Sequence, residues 1–408
     1  MGIRYWTTES ESSASDSWVD SVQETPAFVF DKDRLKTNLT KLEQIRSASD
    51  CHILYSIKAC PVEGLMREIS EAVDGFSVSS LFEARLANEV TNGESSLHIT
   101  TPGFRKEEMS EIGELCDTVS FNSLSQLQRL PFLMAGKARI GLRVNPQCSF
   151  LDDPRYDPCR KHSKLGAPLT DVVKHYGEGS FRQSKLSGLH LHTNFGSSSF
   201  APLETTVKHL QAQLPKLVKE LEWINLGGGY LFQIADDLDR LYSTIQHITD
   251  DWQAEVYLEP GSAVVDNVGM LVTTVIDRFE SDGKSIAVLD TSVNHLPEVF
   301  EYQTQPHRLG EDQQAPYAMT LVGSTCLSGD RFGEYRFDRP LEINDRVIFD
   351  HVGAYSLVKA TRFNGMNLPS ICFLQDNQVS LSRSYDYQEY RQQWCEIDTQ
   401  HQKKRVGL

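Results

Sequence analysis

An apolar run at residues 53–57 ends on a single lysine, Lys58. The run predicts a buried strand, which would give the lysine an apolar wall on one side and an open mouth on the other. That setting lowers the pKa of an ammonium group and favours the neutral amine needed to form an imine. The alternative is a strand-end lysine whose charged head reaches solvent.

Three consecutive glycines, Gly227, Gly228 and Gly229, follow the apolar run at residues 223–226. Glycines after a strand let backbone N–H groups approach a phosphate closely, and the late loops of a barrel often hold one. A tight turn without a ligand is the alternative. The run is therefore a candidate phosphate site.

Two further candidates also lie where strands are expected to end. Glu259 closes the run at residues 256–258, so its carboxylate could point into a barrel mouth and hold a pyridine nitrogen protonated. The alternative is a carboxylate that pairs with an arginine in a loop.

His190 and His192 share one face of a strand because side chains alternate. His192 could stack on an aromatic ring. The pair could also bind a metal, but the sequence suggests no third ligand nearby, and no metal site is predicted.

Two loops nearer the C-terminus carry weaker candidates. The loop at residues 323–330 places the Cys326 thiol close to the Asp330 carboxylate, so Cys326 could donate a proton and Asp330 could attract an amine. The hydroxyl of Tyr355 could bond a phosphate oxygen. Each of these segments is also compatible with an ordinary turn or β core.

Short apolar runs alternate with stretches of helical period from residue 25 to about residue 263. About eight such units over roughly 250 residues predict a parallel (β/α)₈ TIM barrel, with an open doubly wound sheet as the alternative. No GxGxxG follows the first strand, so a dinucleotide site has no support. Beyond residue 264, β-rich runs separated by turns predict a C-terminal, mainly antiparallel β-barrel domain. The fold class is thus α/β plus β.

The expected domain boundaries follow from this change in pattern. Residues 31–263 form the barrel, and residues 21–30 with 264–395 form the β domain. Residues 1–20 and 396–408 are polar and are expected to be flexible tails.

Composition excludes several classes of protein. A net charge of -16 argues against a nucleic-acid partner and fits poorly with an anionic membrane surface, but it is compatible with a small cationic substrate. The eight cysteines contain no CxxC pair and indicate reduced thiols in the cytoplasm. No signal peptide and no apolar run long enough to span a membrane is found.

Five short motifs in one order resemble the fold-type III pyridoxal-phosphate enzymes, the group of alanine racemase and ornithine decarboxylase. They are YSIKA at 55–59, HLHTNFGS at 190–197, LGGG at 226–229, EPGS at 259–262 and GAYS at 353–356. Within that group the chain is most similar to carboxynorspermidine decarboxylases. The stretches that carry this likeness include DGFSVSSLFEARLA at 74–87, STCLSGD at 324–330 and KATRFNG at 359–365.

The resemblance implies pyridoxal 5'-phosphate as cofactor and removal of the α-carboxylate from an aminocarboxypropyl group. By position, Lys58 matches the cofactor lysine, His192 the ring-stacking histidine, and Glu259 the partner of the pyridine nitrogen. The glycine run 227–229 and Tyr355 match phosphate contacts. Cys326 and Asp330 match residues that usually reach a neighbouring subunit's site, which implies a homodimer with shared active sites.

One segment departs from the family pattern. After His192, carboxynorspermidine decarboxylases typically carry a Cys-Glu pair, whereas residues 193–199 here read TNFGSSS. The Gly-Ser form of this segment is more similar to the diaminopimelate and ornithine enzymes. The resemblance as a whole implies carboxynorspermidine or carboxyspermidine, in polyamine synthesis, as the substrate, and this segment is where the substrate could differ. The alternatives are another carrier, such as carboxyaminopropylagmatine or a peptide-nucleotide natural product, and diaminopimelate-type decarboxylation.

Two alternatives belong to other classes of protein. A catalytically inactive binding protein is disfavoured because both Lys58 and Glu259 are present. A barrel-only cofactor carrier would lack the predicted β domain.

Overall fold

A computed structural model describes residues 18–179, 181 and 185–396. Residues 1–17 and 397–408, most of the two predicted tails, lie outside the described residues. The chain divides into two compact units: Arg34–Asp266 forms one, and the flanking residues up to Asp33 and from Asn267 form the other. In the described part of the chain, no helix combines the length and the apolar character needed to cross a membrane.

Apolar runs become strands and the stretches between them become helices. The strands up to residue 258 are β1 (Ala27–Asp31), β2 (His52–Ser56), β3 (Gly75–Val78), β4 (Ser96–Thr100), β5 (Thr118–Phe121), β6 (Arg139–Asn145), β7 (Ala167–Pro168), β8 (Leu186–His190), β9 (Trp223–Asn225) and β10 (Glu255–Leu258). The helices are α1 (Lys32–Ser49), α2 (Glu63–Ser70), α3 (Leu81–Val90), α4 (Met109–Leu115), α5 (Leu124–Arg129), α6 (Leu169–Gly177), α7 (Ala201–Gln213), α8 (Leu238–His247), α9 (Ser262–Val265), α10 (Glu298–Tyr302) and α11 (Tyr387–Gln392).

Eight parallel strands close into a barrel. Their hydrogen-bonded order is β5-β4-β3-β2-β10-β9-β8-β6, and β5 pairs with β6 to complete the ring; the two-residue β7 extends from β6. This closure confirms the predicted (β/α)₈ barrel and excludes the open sheet. Because all eight strands run the same way, their carboxyl ends meet at one rim, where the active sites of such barrels lie.

Helix α3 shows how the local sequence fixes an element near that rim. The Ser80 hydroxyl accepts the backbone N–H of Glu83 at 3.1 Å, and the Glu83 carboxylate accepts the N–H of Ser79 at 2.6 Å. These reciprocal bonds satisfy donors that a helix start leaves open. Ala84 and Ala87 are buried on the inner face of the helix. The turn that follows β3 is therefore tightly defined.

The second unit is a mainly antiparallel sheet, as predicted. Strand β1 is joined there by β11 (Gly269–Ser281), β12 (Lys284–Leu289), β13 (His307–Arg308), β14 (Tyr317–Val322), β15 (Arg331–Phe337), β16 (Arg346–Asp350), β17 (Ser370–Gln375) and β18 (Gln378–Arg383). The main order is β15-β14-β12-β11-β1-β17-β18, with β16 bridging β11 and β13. Strands β15 and β18 lie at the two ends of this order and do not pair with each other. The described strands therefore form an open sheet rather than a closed barrel.

The described chain begins inside this sheet unit rather than in a tail. Trp18 and Val19 are buried and pack in one apolar cluster with Val29 and Met270. Trp18 and Val19, which the sequence assigned to the flexible tail, are therefore held by a core contact.

Candidate active site

Lys58 lies two residues beyond the end of β2, in a tight turn at the barrel rim. The backbone N–H of Ala59 donates to the carbonyl of Ser56 at 3.1 Å, and the Tyr55 hydroxyl donates to the carbonyl of Cys60 at 3.0 Å. The lysine is half-buried. Burial lowers the pKa of its amine, and nearby Arg143 lowers it further, whereas Glu259 opposes both effects. The predicted activated amine is thus supported by its surroundings.

Glu259 follows β10 and is buried, with 3% of its surface exposed. The side-chain amide of Asn225 donates to its Oε1 at 2.7 Å. Its Oε2 lies 3.6 Å from Nε2 of His190 and makes no hydrogen bond to any described residue. A buried carboxylate oxygen without a donor is costly, so the geometry calls for a donor from a bound molecule.

His192 lies two residues beyond β8 and is half-buried. Burial holds the pKa of its imidazole well below the usual range, and the positive charges of Lys58 and Arg143 act in the same direction. The N–H of Gly228 donates to its Nδ1 at 3.3 Å, which assigns the ring proton to Nε2. The ring is therefore neutral and has a fixed orientation, as a ring-stacking residue requires.

The structure brings a possible third ligand near the histidine pair, which the sequence did not suggest. His190, His192 and Glu259 bring one possible ligand atom each to within 4.8 Å of one another. The sequence hides this group because Glu259 stands about seventy residues later and meets the histidines only where β8 and β10 reach the same rim. The positive charges of Lys58 and Arg143 act on both histidines and disfavour a bound cation at this group.

The glycine run makes close backbone contacts that exclude side chains. A Cβ on Gly227 would overlap the carbonyl of Leu191, and a Cβ on Gly228 would overlap the carbonyl of Glu259. Gly227 and Gly229 also have φ values of +72° and +89°, which glycine adopts without strain. Asn225 anchors the run because its Oδ1 accepts the N–H of Gly227 at 2.8 Å.

The segment that departs from the family pattern is tied to this glycine run. The N–H of Ser197 donates to the carbonyl of Gly229 at 2.8 Å, and a Cβ on Gly229 would overlap the carbonyl of Asn194. Asp237 then accepts the Ser199 hydroxyl at 2.7 Å. Residues 193–199 therefore form a braced wall beside the site.

An aromatic pair continues this wall. The Phe195 ring stacks on that of Tyr156, with centroids 5.6 Å apart and planes 17° apart. Tyr156 belongs to the long connection between β6 and β7, in which Asp157 accepts the N–H of Cys159 at 2.7 Å. Two separate segments thus join through their rings.

The sheet unit carries the other predicted residues. Asp330 is 4% exposed; its Oδ1 accepts the N–H of Val293 at 2.9 Å, and its Oδ2 accepts both the hydroxyl and the N–H of Thr325. The carboxylate therefore organises its own loop. Cys326 is exposed on that loop, and its N–H donates to Oδ1 of Asn364 at 2.7 Å.

Tyr355 is half-buried in the same unit and has a φ of +63°, an unusual value for a tyrosine. Its ring lies 5.7 Å from Nζ of Lys359. Contact of Cys326, Asp330 and Tyr355 with a ligand remains a prediction.

Sequence reasoning missed three site residues. Asn225 positions Glu259, while Arg143 and Glu83 contribute electrostatically at Lys58. Arg143 is buried on β6, where an unpaired charge would be expensive. The available signal was a polar residue inside an otherwise apolar strand, as in GLRVN and WINL.

Comparisons with known proteins match both units. The pyridoxal binding domain of pyridoxal-dependent decarboxylases matches residues 34–266, and their C-terminal sheet domain matches residues 262–353. A carboxynorspermidine/carboxyspermidine decarboxylase of Campylobacter jejuni is 31% identical over 90% of this chain and 97% of that relative. A carboxyaminopropylagmatine decarboxylase of Synechocystis is 31% identical over 90% of this chain and 94% of that relative.

A solved structure agrees with these relatives. The crystal structure of carboxynorspermidine decarboxylase from Campylobacter jejuni, complexed with norspermidine, has a TM-score of 0.83 and 30% identity. The match covers 91% of this chain and 100% of that one.

The residues present fit pyridoxal phosphate. The open Oε2 of Glu259 suits a protonated pyridine nitrogen, and the neutral imidazole of His192 suits a ring face. Lys58 offers an amine of lowered pKa, and the glycine run offers backbone without side chains. With the matches to both domains, these features show that the chain belongs to the pyridoxal-dependent decarboxylase family and is a pyridoxal-phosphate-dependent decarboxylase.

Proposed function

We propose that this enzyme removes the α-carboxylate from the aminocarboxypropyl group of carboxynorspermidine or carboxyspermidine. The observation that carries the proposal is the likeness, over nearly the whole chain, to a decarboxylase named for these substrates and to its structure with norspermidine. The net charge of -16 is compatible with a cationic polyamine substrate.

Pyridoxal phosphate, when bound, supplies a conjugated ring that takes up the electrons left when the carboxylate departs. Lys58 would provide the amine that holds the cofactor when no substrate is bound. Glu259 would keep the pyridine nitrogen protonated, and its hydrogen bond from Asn225 fixes the direction of the carboxylate. His192 would lie against one face of the ring. We assign the return of a proton to Cα to the Cys326 thiol.

We further propose a homodimer in which Cys326, and the loop that Asp330 organises, reach the active site of the partner subunit. The exposed position of Cys326 on a braced loop supports this role. Mixing the inactive Lys58→Ala and Cys326→Ala proteins should restore about a quarter of the activity if sites are shared, because about half of the randomly exchanged dimers are mixed and each mixed dimer holds one intact site out of two. Absence of any recovery in mixed dimers of confirmed mass would contradict the shared site.

A cytoplasmic location is part of the same proposal. All eight cysteines lie among the described residues, and none of them is bonded to another. Unpaired thiols in this number favour a reducing compartment.

Carboxyaminopropylagmatine is the second candidate substrate, because the Synechocystis relative is equally similar. The braced segment 193–199 supports a different choice of carrier, since it departs from the family's Cys-Glu pattern and its Phe195 ring stacks on Tyr156. A planar guanidinium can stack flat on such rings, whereas an ammonium interacts with them only as a point charge.

The deciding experiment measures carbon dioxide release from the pyridoxal-phosphate-loaded protein with four substrates. They are carboxynorspermidine, carboxyspermidine, carboxyaminopropylagmatine and diaminopimelate. Preference for either of the first two supports the main proposal, and preference for the third supports the second candidate. Preference for diaminopimelate, or no release from any of the four, would contradict both.

Lys58→Ala tests the assignment of the cofactor lysine. Turnover should be abolished, and the absorption band that borohydride removes in the parent should be missing. Lys36→Ala, on the exposed face of α1, is the matched control and should retain both properties. Full activity in Lys58→Ala would refute the assignment.

A further inference from the structure

A second group of potential metal ligands lies in the sheet unit. His307, Asp350 and His351 each offer one ligand atom, and these atoms all lie within 4.8 Å of one another. The two imidazole rings have centroids 5.6 Å apart and are nearly perpendicular, at 81°. None of these residues belongs to a motif that the decarboxylase function uses.

The strand register explains how the three residues meet. Strand β13 pairs antiparallel with β16, and His307 stands directly opposite Asp350. Directly opposed residues place their side chains on the same face. His351 follows β16 and would point to the other face if the strand continued. Its φ of +58° breaks the alternation and turns its ring toward His307 instead.

The donor set is that of a divalent transition metal. Two imidazole nitrogens and one carboxylate oxygen are common ligands of Zn²⁺, with a fourth position left for water. Asp350 is 4% exposed, and its Oδ1 accepts the N–H of His351 at 2.8 Å, which fixes the direction of the carboxylate. His307 is exposed, so an ion could enter from solvent.

The neighbouring cation does not occupy the group. Arg308 follows His307 on the short strand β13, and its guanidinium donates to the carbonyls of Leu309, Gly310 and Arg336 at 2.9 to 3.0 Å. It also lies 4.5 Å from the centroid of the Phe337 ring. Its two terminal nitrogens therefore donate to backbone carbonyls rather than to Asp350.

We propose that His307, Asp350 and His351 form a binding site for a divalent transition-metal ion of the Zn²⁺ type. The ion would clamp β13 to the end of β16. It would also fix the start of the segment that leads from His351 to Tyr355. In this segment the N–H of Val352 donates to the carbonyl of Gly269 at 3.0 Å. The site is independent of the proposed substrate.

The test is a Zn²⁺ titration of the full chain loaded with pyridoxal phosphate, followed by competition with a chromophoric chelator. Loading matters because His190, His192 and Glu259 form the other group of possible ligands noted above. The expected result is one tightly bound equivalent. Co²⁺ in place of Zn²⁺ should give a visible ligand-field spectrum.

Two variants decide where the ion binds. His307→Gln and His351→Asn should each weaken binding about tenfold or more and remove the Co²⁺ spectrum. Asparagine is chosen because it tolerates the backbone conformation at this position. His162→Asn is the matched control, since His162 is exposed and has a φ of +60°, and it should bind as the parent does.

The proposal is overturned if the parent binds no Zn²⁺, or if both variants bind it with unchanged affinity, because the ion would then lie on thiols or in the barrel. Loss of Zn²⁺ binding in His192→Asn with unchanged binding in His307→Gln would also overturn the proposal, because the ion would then lie in the barrel. Circular dichroism and the bound-cofactor absorbance confirm that each variant is folded.

Discussion

Asn225 and Glu259 form a buried pair in which the amide of Asn225 donates to Oε1 of the carboxylate at 2.7 Å. The same asparagine accepts the N–H of Gly227 at 2.8 Å. One side chain therefore links the Glu259 carboxylate to the glycine run.

Asn225→Ala should lower carbon dioxide release about tenfold, because a lost hydrogen bond to a buried charged group costs about 1–3 kcal/mol and 1.4 kcal/mol corresponds to tenfold. Asn225→Asp should do more harm, since it keeps an acceptor for Gly227 but sets a second carboxylate against Glu259. Steady-state kinetics of the two variants test this order. Equal activity of the parent and Asn225→Asp would show that the pair has no role.

Removal of Arg143 should raise the pKa of Lys58. Burial is the largest cause of the lowered pKa, Arg143 adds to it, and Glu259 opposes it. Arg143→Gln should therefore move the pH dependence of cofactor association to higher pH, because less neutral amine is present at a given pH. Glu259→Gln should move it to lower pH.

To compare Arg143→Gln with Glu259→Gln, the rate of cofactor binding to each cofactor-free protein is measured across a pH series. Arg160→Gln, at an exposed arginine, is the control and should leave the profile in place. Shifts of both site variants in the same direction would contradict the electrostatic account.

Gly228→Ala should weaken cofactor binding about tenfold or more and lower the free energy of unfolding by about 1–3 kcal/mol, as overpacking does. The added methyl group would overlap the backbone carbonyl of Glu259, which cannot move without displacing the carboxylate. Gly103→Ala is the control, because a Cβ there meets nothing within 4 Å. Cofactor titration and urea unfolding measure both effects, and a Gly228→Ala protein that matches Gly103→Ala would refute the packing argument.

His98 should make the barrel sensitive to acid. It lies on β4, 3% exposed, and burial lowers its pKa from 6.5 to about 3. Since the unfolded chain binds a proton near pH 6.5 and the folded chain does not, stability falls as the pH drops from 6.5 towards 3. By linkage, the loss between pH 7 and pH 4 is about 3 kcal/mol.

His98→Phe removes the titrating group, so its unfolding free energy should fall less than that of the parent between the two pH values. Urea unfolding at pH 7 and pH 4, followed by barrel tryptophan fluorescence, gives the comparison. Identical pH dependence in parent and variant would show that His98 does not carry the effect.

The main site residues could be predicted because each one follows an apolar run. Lys58, His192, the glycine run and Glu259 all lie just beyond barrel strands, and a parallel barrel gathers such positions at one rim. Their roles came from the resemblance, since no single motif specifies a cofactor.

The supporting residues could not be predicted with the same rules. Asn225 and Arg143 lie inside strands, where the apolar pattern predicts core, and only the register between strands shows what they face. The strands of the β domain were predicted from apolar runs, and strand β15 was missed because its sequence, RFGEYRF, alternates charged and aromatic residues. Its Phe332, Tyr335 and Phe337 are nevertheless buried.

The bond between Ser197 and Gly229 limits how this enzyme can acquire a new substrate. The N–H of Leu231 also donates to the carbonyl of Ser197, so the two backbones are joined from both sides. An insertion or deletion in residues 193–199 would displace the glycine run 227–229 together with this segment. Directed evolution of selectivity should therefore exchange side chains such as Phe195 at constant loop length, and libraries that vary loop length should yield mostly proteins that have lost their cofactor.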